Sequence, residues 1–404
     1  MQQTSRFRGW RAPAALFGAL ALTLSACGSS SKSSGSSGSG TAGLVPPTHS
    51  LAVPTSIGTG EGKLNIIAWE GYAEPQWVKP FEQQTGCTVN AKYAGSSSEM
   101  VSLMANGGGG QYDLVSASGD ADLRLIYGGD VRPVNINLIP SWKDFHPFLQ
   151  SPAFNTIDGV HYGVSLQFGP NVLLYSTQAV TAPPSSWSVI YDKQYSGKVT
   201  VPNNPIQIAD AALYLEHAKP SLGIKDPYEL TQAQLTATVN LLKQQKPNLK
   251  RFWVYPADED TSFKNGDVWL GAGWPYQTLQ LKHNSVPVKE IVPKPTTGWA
   301  DTWMLASKAP HPNCAYKWMK YVTTPQVEAK QALVFGETPV NPKACPYMNK
   351  IQKGSCAGYH LNEPASYYKT IKFWKTPIPQ CGWTKKQTCM DYTQWVQAWA
   401  QVTG

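Results

Sequence analysis

From Lys63 onward the chain alternates between two hydrophobic periods, and this alternation limits the folds open to it. Residues 63–69 form a short apolar run that predicts a strand, and residues 75–84 place Trp77, Val78 and Phe81 on one face of a helix. A second strand is expected over 88–93. Ser96 to Glu99 can cap a helix carrying Met100, Val101, Leu103 and Met104, which Gly107 to Gly110 end. Residues 112–116 give a third buried strand, with 117–120 as the turn after it. The order β-α-β-α-β predicts an α/β lobe with a mainly parallel sheet, and such sheets meet ligands at the carboxyl ends of their strands. Trp69, Tyr72, Ser118 and Asp120 stand at those ends.

A chain of 404 residues exceeds the usual single core. A second α/β unit is legible downstream: strand 197–201, helices 209–217 and 231–245, and strand 267–271. Between them and the first unit, residues 162–174 are apolar but interrupted by Gly169 and Pro170, which suits a crossing segment. Residues 290–292 can lead the chain back, 304–306 read as a strand, and 315–322 and 325–334 as helices. The tail holds Trp374, Trp383, Trp395 and Trp399, with a helix expected over 390–402, and is assigned to the second unit.

The N-terminus has the parts of an export signal: Arg6, Arg8 and Arg11, then an uncharged apolar stretch over 12–26. Leu24-Ser25-Ala26-Cys27 resembles the lipobox of bacterial lipoproteins, so residues 1–26 are expected to be removed and Cys27 lipidated. The Gly/Ser-rich run that follows cannot bury apolar area, and 27–61 is read as a tether. The chain is therefore expected on the outer face of the cytoplasmic membrane. Without the three leader arginines the formal charge falls from +8 to +5, and no basic cluster is interleaved with aromatics, which argues against nucleic acid. Six cysteines remain after Cys27, an even number suited to disulfides. Short separations favour Cys345–Cys356 and Cys381–Cys389, leaving Cys87 and Cys314. There is no Cys-x-x-Cys and the seven histidines are scattered, so no metal or cofactor is expected.

Two stretches suggest a binding site. Residues 268–276 read as a buried strand ending in a glycine turn that delivers Trp274 to an edge. Trp299 and Trp303 flank one acid, Asp301. Indole faces attract a cation at roughly 0.5–2 kcal/mol each, and a carboxylate adds a charge-assisted hydrogen bond.

Taken together, Leu64 to Tyr72 with its Trp-x-x-Tyr, Tyr112-Asp113-Leu114-Val115, Trp187 before Gly197-Lys198, Gly266 to Trp274, Trp299-x-Asp301 and Gly336 to Asn341 resemble the spermidine/putrescine-binding proteins of polyamine ABC importers. The resemblance runs over about 63–345. It implies a two-lobed α/β fold of the periplasmic-binding-protein type (type II), with 62–165 and 298–340 as lobe 1 and 166–297 and 341–404 as lobe 2. It also implies a monomer that closes on a small organic amine about the crossings near 165–172 and 293–298, and a membrane permease as partner. Trp69 and Tyr72 match the family's first aromatic pair, Trp274 a later wall, and Trp299 with Asp301 the pair that holds an amine. Two family acids align with Asn204 and Gln207, and two aromatic positions align with Asp120 and Glu337. A shorter, singly cationic or zwitterionic ligand is the alternative implied by these departures.

An enzyme is not expected: the chain has no Gly-x-Ser-x-Gly, no His-Glu-x-x-His and no Walker loop. A cell-surface interaction protein fits the anchor but has no need of a cleft. The acid run Asp258-Glu259-Asp260 reads as a solvated loop.

Overall fold

The computed structural model describes residues 46–379 and 388–404. The leader, Cys27, the Gly/Ser run, Cys381 and Trp383 lie outside them.

Helix α1 (Pro75–Thr85) starts with a proline and ends at Gly86 in the left-handed conformation. It buries Trp77 and Phe81. It joins strands β1 (Lys63–Ala68) and β2 (Thr88–Tyr93), which pair in parallel. The Ser96 side chain caps α2 (Ser97–Gly108) by accepting from the Glu99 amide. Strand β3 (Leu114–Ser118) then lies parallel to β1 on its other side. Gly119 and Asp120, expected in a turn, instead open α3 (Gly119–Gly128), because the chain passes directly from Ser118 into helix.

Strand β4 (Gly163–Pro170) ends the first pass through this sheet, and after Asn171 the chain continues as β5 (Val172–Ser176) in a second sheet. That sheet gains β6 (Val199–Pro202), β7 (Leu249–Trp253), β8 (Leu270–Gly273) and β9 (Val288–Ile291), in the order β9-β5-β8-β6-β7. Helices α4 (Gln207–Ala218), α5 (Gln232–Gln245), α6 (Pro256–Lys264) and α7 (Pro275–His283) accompany it.

The chain returns as β10 (Thr296–Leu305), a fully buried ten-residue strand. After α8 (Pro312–Val322) and α9 (Pro325–Phe335), β11 (Thr338–Pro339) and β12 (Ile371–Phe373) complete a first sheet of order β11-β4-β10-β3-β1-β2, with β12 on β10. The sheet is mixed rather than mainly parallel: β10 re-enters from the second sheet and so runs antiparallel to both β3 and β4.

The two crossings are laced together. Asn171 donates from its amide to the Thr297 carbonyl at 2.8 Å and from Nδ2 to Thr297 Oγ1 at 2.7 Å, while Thr296 Oγ1 donates to the Asn171 carbonyl at 2.9 Å. Asp210 of α4 accepts from the Thr297 hydroxyl and from Asn171, which ties the second sheet's helix to both crossings.

Several expectations need correction. Residues 46–61 are not a free tether: Thr48 Oγ1 donates to the Val131 carbonyl, Asn135 Nδ2 to the Pro54 carbonyl, and Glu61 accepts the amides of Asn313 and Cys314 at the start of α8. The tail, assigned to the second lobe, is divided: β12 joins the first sheet, while Trp395 and Trp399 of the last helix, α10 (Tyr392–Thr403), share an apolar cluster with Leu235 and Val239 of α5. Glu259, expected in a solvated loop, is buried in α6, where Gly271 and Gly273 leave room for its carboxylate and Gln277 donates to it.

Disulfides join Cys87 to Cys314 and Cys345 to Cys356; the even count of cysteines pointed to disulfides but left their pairing open. Cys389 is also disulfide-bonded. No helix among the described residues is long and apolar enough to cross a membrane, and no group of three or more metal-binding side chains is gathered there.

Candidate functional site

The carboxyl end of β1 leads into a turn in which the Tyr72 amide donates to the Trp69 carbonyl. Gly71 sits there at φ +92°, and a Cβ would strike the Phe335 ring, so only glycine lets the loop carry Trp69 and Tyr72 so close to α9. Tyr72 is turned inward, against Phe335 at 4.8 Å between ring centroids. At the end of α9, Gly336 adopts the left-handed conformation and reverses the chain, which delivers Glu337 to the same place.

Asp301 lies opposite Ser118 in the antiparallel pairing of β10 with β3. That register explains a 2.5 Å hydrogen bond from Ser118 Oγ to Asp301 Oδ1. The Tyr72 hydroxyl donates to Asp301 Oδ2 at 2.5 Å and also lies 3.1 Å from Glu337 Oε2. All four side chains are buried. Burial pushes the Asp301 carboxyl up, and the negative charge of Asp120 adds to this while the Ser118 and Tyr72 hydroxyls pull it down. Glu337 is pushed well above the usual carboxylate range by burial and then by the charge of Asp301. Tyr72 is pushed up by the same two causes, burial first and the carboxylates second.

These groups form the floor of a cavity with about 100 Å³ of free space, which holds several waters at roughly 10–15 Å³ each and so suits a small ligand. Trp69, Ser118, Trp274, Trp299, Asp301 and Glu337 line it as the sequence suggests. The second sheet contributes Trp274, whose ring meets Trp69 across the cleft at 6.4 Å and Trp253 behind it at 5.1 Å. Tyr72 stands behind the wall and acts through Asp301 and Glu337. The second expected indole, Trp303, is fully buried against Trp318 at 5.9 Å and does not reach the cavity; a register irregularity between Ala300 and Thr302 interrupts the simple alternation along β10.

Three predicted residues lie elsewhere. Asp120 is buried in α3 and accepts from Ser97 Oγ at 2.8 Å, because the helix begins at Gly119, inside the stretch expected as a turn. Asn204 closes the turn before α4 by accepting from the Ile206 amide. Gln207, in the first turn of α4, donates to Asp210 at 2.5 Å. Neither of the latter two lines the cavity. On that side stands Trp374, which follows β12 and donates its amide to the Gly298 carbonyl at 2.7 Å. Its ring is packed in one cluster with Ile206, Trp299 and Trp395.

The mouth adds residues that the sequence did not reveal. Tyr276 stacks on Phe335 at 5.0 Å, bringing α7 against α9. Tyr255 covers Gly95, where any Cβ would collide with its ring. Glu70 and Tyr93 complete the rim. A tyrosine before the Pro256 helix start, and another beside Trp274-Pro275, were the available hints; nothing local marked Trp374.

Two mixed sheets joined by laced crossings carry an acid-floored aromatic cavity between them. The chain belongs to the bacterial extracellular solute-binding proteins, whose family model matches residues 76–355. It is 22% identical over 340 residues to the putrescine/agmatine-binding protein of Pseudomonas aeruginosa, covering 78% of this chain and 90% of that one. It is 25% identical over 306 residues to the putrescine-binding periplasmic protein PotF of Escherichia coli, covering 71% and 80%. The fold matches that of the spermidine/putrescine ABC transporter substrate-binding protein PotD of Streptococcus pneumoniae with a TM-score of 0.65 at 18% identity, covering 85% of this chain and 99% of that one.

Proposed function

We propose that this solute-binding protein takes up a short aliphatic amine of the putrescine class and presents it to an ABC permease. The observation that carries the reading is Asp301: a buried carboxylate held by two hydroxyl donors, walled by indoles, in a cavity lined, among the described residues, by no lysine, arginine or histidine. A buried acid without a cationic partner is costly, and an ammonium ion with aromatic faces around it supplies what is missing. The relatives that bind putrescine support the same choice.

The first sheet with its helices forms one lobe and the second sheet with α4 to α7 the other. They close about the crossings at Asn171 and Thr296–Thr297. Closure is driven only by contacts made better in the closed form, which is why walls from both lobes matter. Export and lipidation at Cys27 place this receptor beside its permease, as a monomer without catalytic activity.

A second reading, a monoamine or zwitterion, is favoured by the positions of Asn204 and Gln207 away from the cavity and by Trp374 closing it on that side. Only one charged pole lies deep in the cleft. Calorimetry of the chain without leader and Gly/Ser run against putrescine, cadaverine, agmatine, spermidine, 4-aminobutyrate and glycine betaine separates the two. Tightest binding of a diamine supports the first reading; binding of only the zwitterions, or of methylammonium added as a monocation, supports the second. Silence from every amine overturns both.

A further inference from the structure

The Tyr72 hydroxyl carries one hydrogen and meets two carboxylate oxygens, Asp301 Oδ2 at 2.5 Å and Glu337 Oε2 at 3.1 Å. It donates to the nearer. Two oxygens 3.1 Å apart with no hydrogen between them repel, so one of the two carboxyls must carry a second hydrogen; with the tyrosine's own hydrogen on the shorter contact to Asp301, that hydrogen falls to Glu337. A protonated Glu337 donates to the Tyr72 oxygen, which donates to Asp301, which also accepts from Ser118. The chain of donors then closes without an orphan.

We propose that the empty site stores one proton on Glu337, relayed through Tyr72 to an ionised Asp301, and that a primary ammonium ligand enters by exchanging for it. This rests on the amine reading above and goes further by assigning Glu337 the selection of a primary head group. The balance is simple: R–NH3+ binds, the Glu337 O–H bond breaks, and one proton leaves to solvent. The ammonium, with three N–H donors, then reaches both Asp301 and Glu337. A quaternary head has no donor to offer and leaves the proton in place, so it binds poorly.

The surroundings favour this exchange. Asp120 and Asp122 of α3 lie beside Asp301, Tyr276 and Glu70 line the mouth, and Phe335 is apolar. Among the described residues no basic side chain lines the cavity to hold both carboxylates ionised in its place. The raised titration of Glu337 agrees with the geometry.

The test has two independent arms. With no ligand, the thermal midpoints of the wild type and Glu337→Gln are compared from about pH 5 to about pH 8. An unfolded glutamate ionises near pH 4.3 while the folded Glu337 keeps its proton, so the folded state binds more protons and loses stability as pH rises, about tenfold in the folding equilibrium per pH unit for each retained proton. The wild-type curve should therefore fall relative to the variant; parallel curves overturn the stored proton whether or not any amine binds. In the second arm, putrescine is titrated calorimetrically in phosphate and in Tris. A difference in heat corresponding to about one proton released in the wild type and near none in Glu337→Gln supports the exchange. Equal heats in the two buffers with binding intact overturn it. Tetramethylammonium bound as tightly as methylammonium overturns the primary-amine selection. If no amine binds while the ligand-free curves diverge, the amine reading fails and the stored proton stands.

Discussion

The two walls of the cleft are built on opposite plans. The first-sheet wall holds the two buried carboxyl groups that line the cavity, Asp301 and Glu337, with Tyr72 reaching both and Ser118 bound to Asp301 before any ligand arrives. The second-sheet wall offers Trp274 and, at the rim, Tyr255 and Tyr276, and its turn with Asn204 and Gln207 stays out of the cavity. The contrast teaches how a hinged receptor divides its task. On the proposed closure, charge recognition needs hydrogen bonds already in place and so sits on one wall, whereas the opposite wall needs only faces that exclude water and attract a cation without precise aim.

Asp301→Asn should break the comparison most severely, lowering amine affinity by roughly 3 kcal/mol, about 100-fold. The ligand-free thermal midpoint should hold or rise, because a buried acid is removed. Calorimetry with a scan of the empty protein checks both. Trp274→Ala should cost roughly 1–2 kcal/mol of binding, about 5–30-fold, with the fold kept, since the ring is half-buried at the cleft. A loss as large as that of Asp301→Asn would show that the walls are equal partners.

Trp374→Leu sharpens the comparison along the length of the cleft. Shortening this ring should open the cavity towards Gln207 and shift the affinity ratio of spermidine to putrescine by about 10-fold in favour of the longer amine. Equal losses for both would make Trp374 a packing residue only. Asn204→Ala and Gln207→Ala should leave affinity within about twofold, as expected of residues that touch no ligand. The Gln207 variant should still lose about 1 kcal/mol of stability through Asp210, seen in chemical unfolding. A marked loss of binding from either would return the second-sheet turn to the site.

Much of this was legible in the sequence because it is local. The cap at Ser96, the glycine stop of α2 and the strand ends at Trp69 and Ser118 depend on neighbours a few residues away. Asp301 was readable as an acid beside an indole. The failures share one cause. Asp120 went from cleft to helix because α3 begins at Gly119, inside the expected turn, and Glu259 left solvent because Gly271 and Gly273, distant in sequence, vacate room beneath it.

What the sequence alone determined was therefore the alternation of strand and helix, an even set of cysteines suited to disulfides, and the aromatic and acidic residue types that line the cavity. Only the tertiary structure decided which acids share a hydroxyl. Tyr72 and Asp301 are 229 residues apart, and Tyr72 and Glu337 are 265 apart. Nothing in a local period encodes such a meeting. It follows from β10 returning antiparallel to β3, from a glycine that lets the Tyr72 loop press on Phe335, and from another that turns the chain at the end of α9. Contact across that distance is a property of packing, and packing is where the charge of this cleft is set.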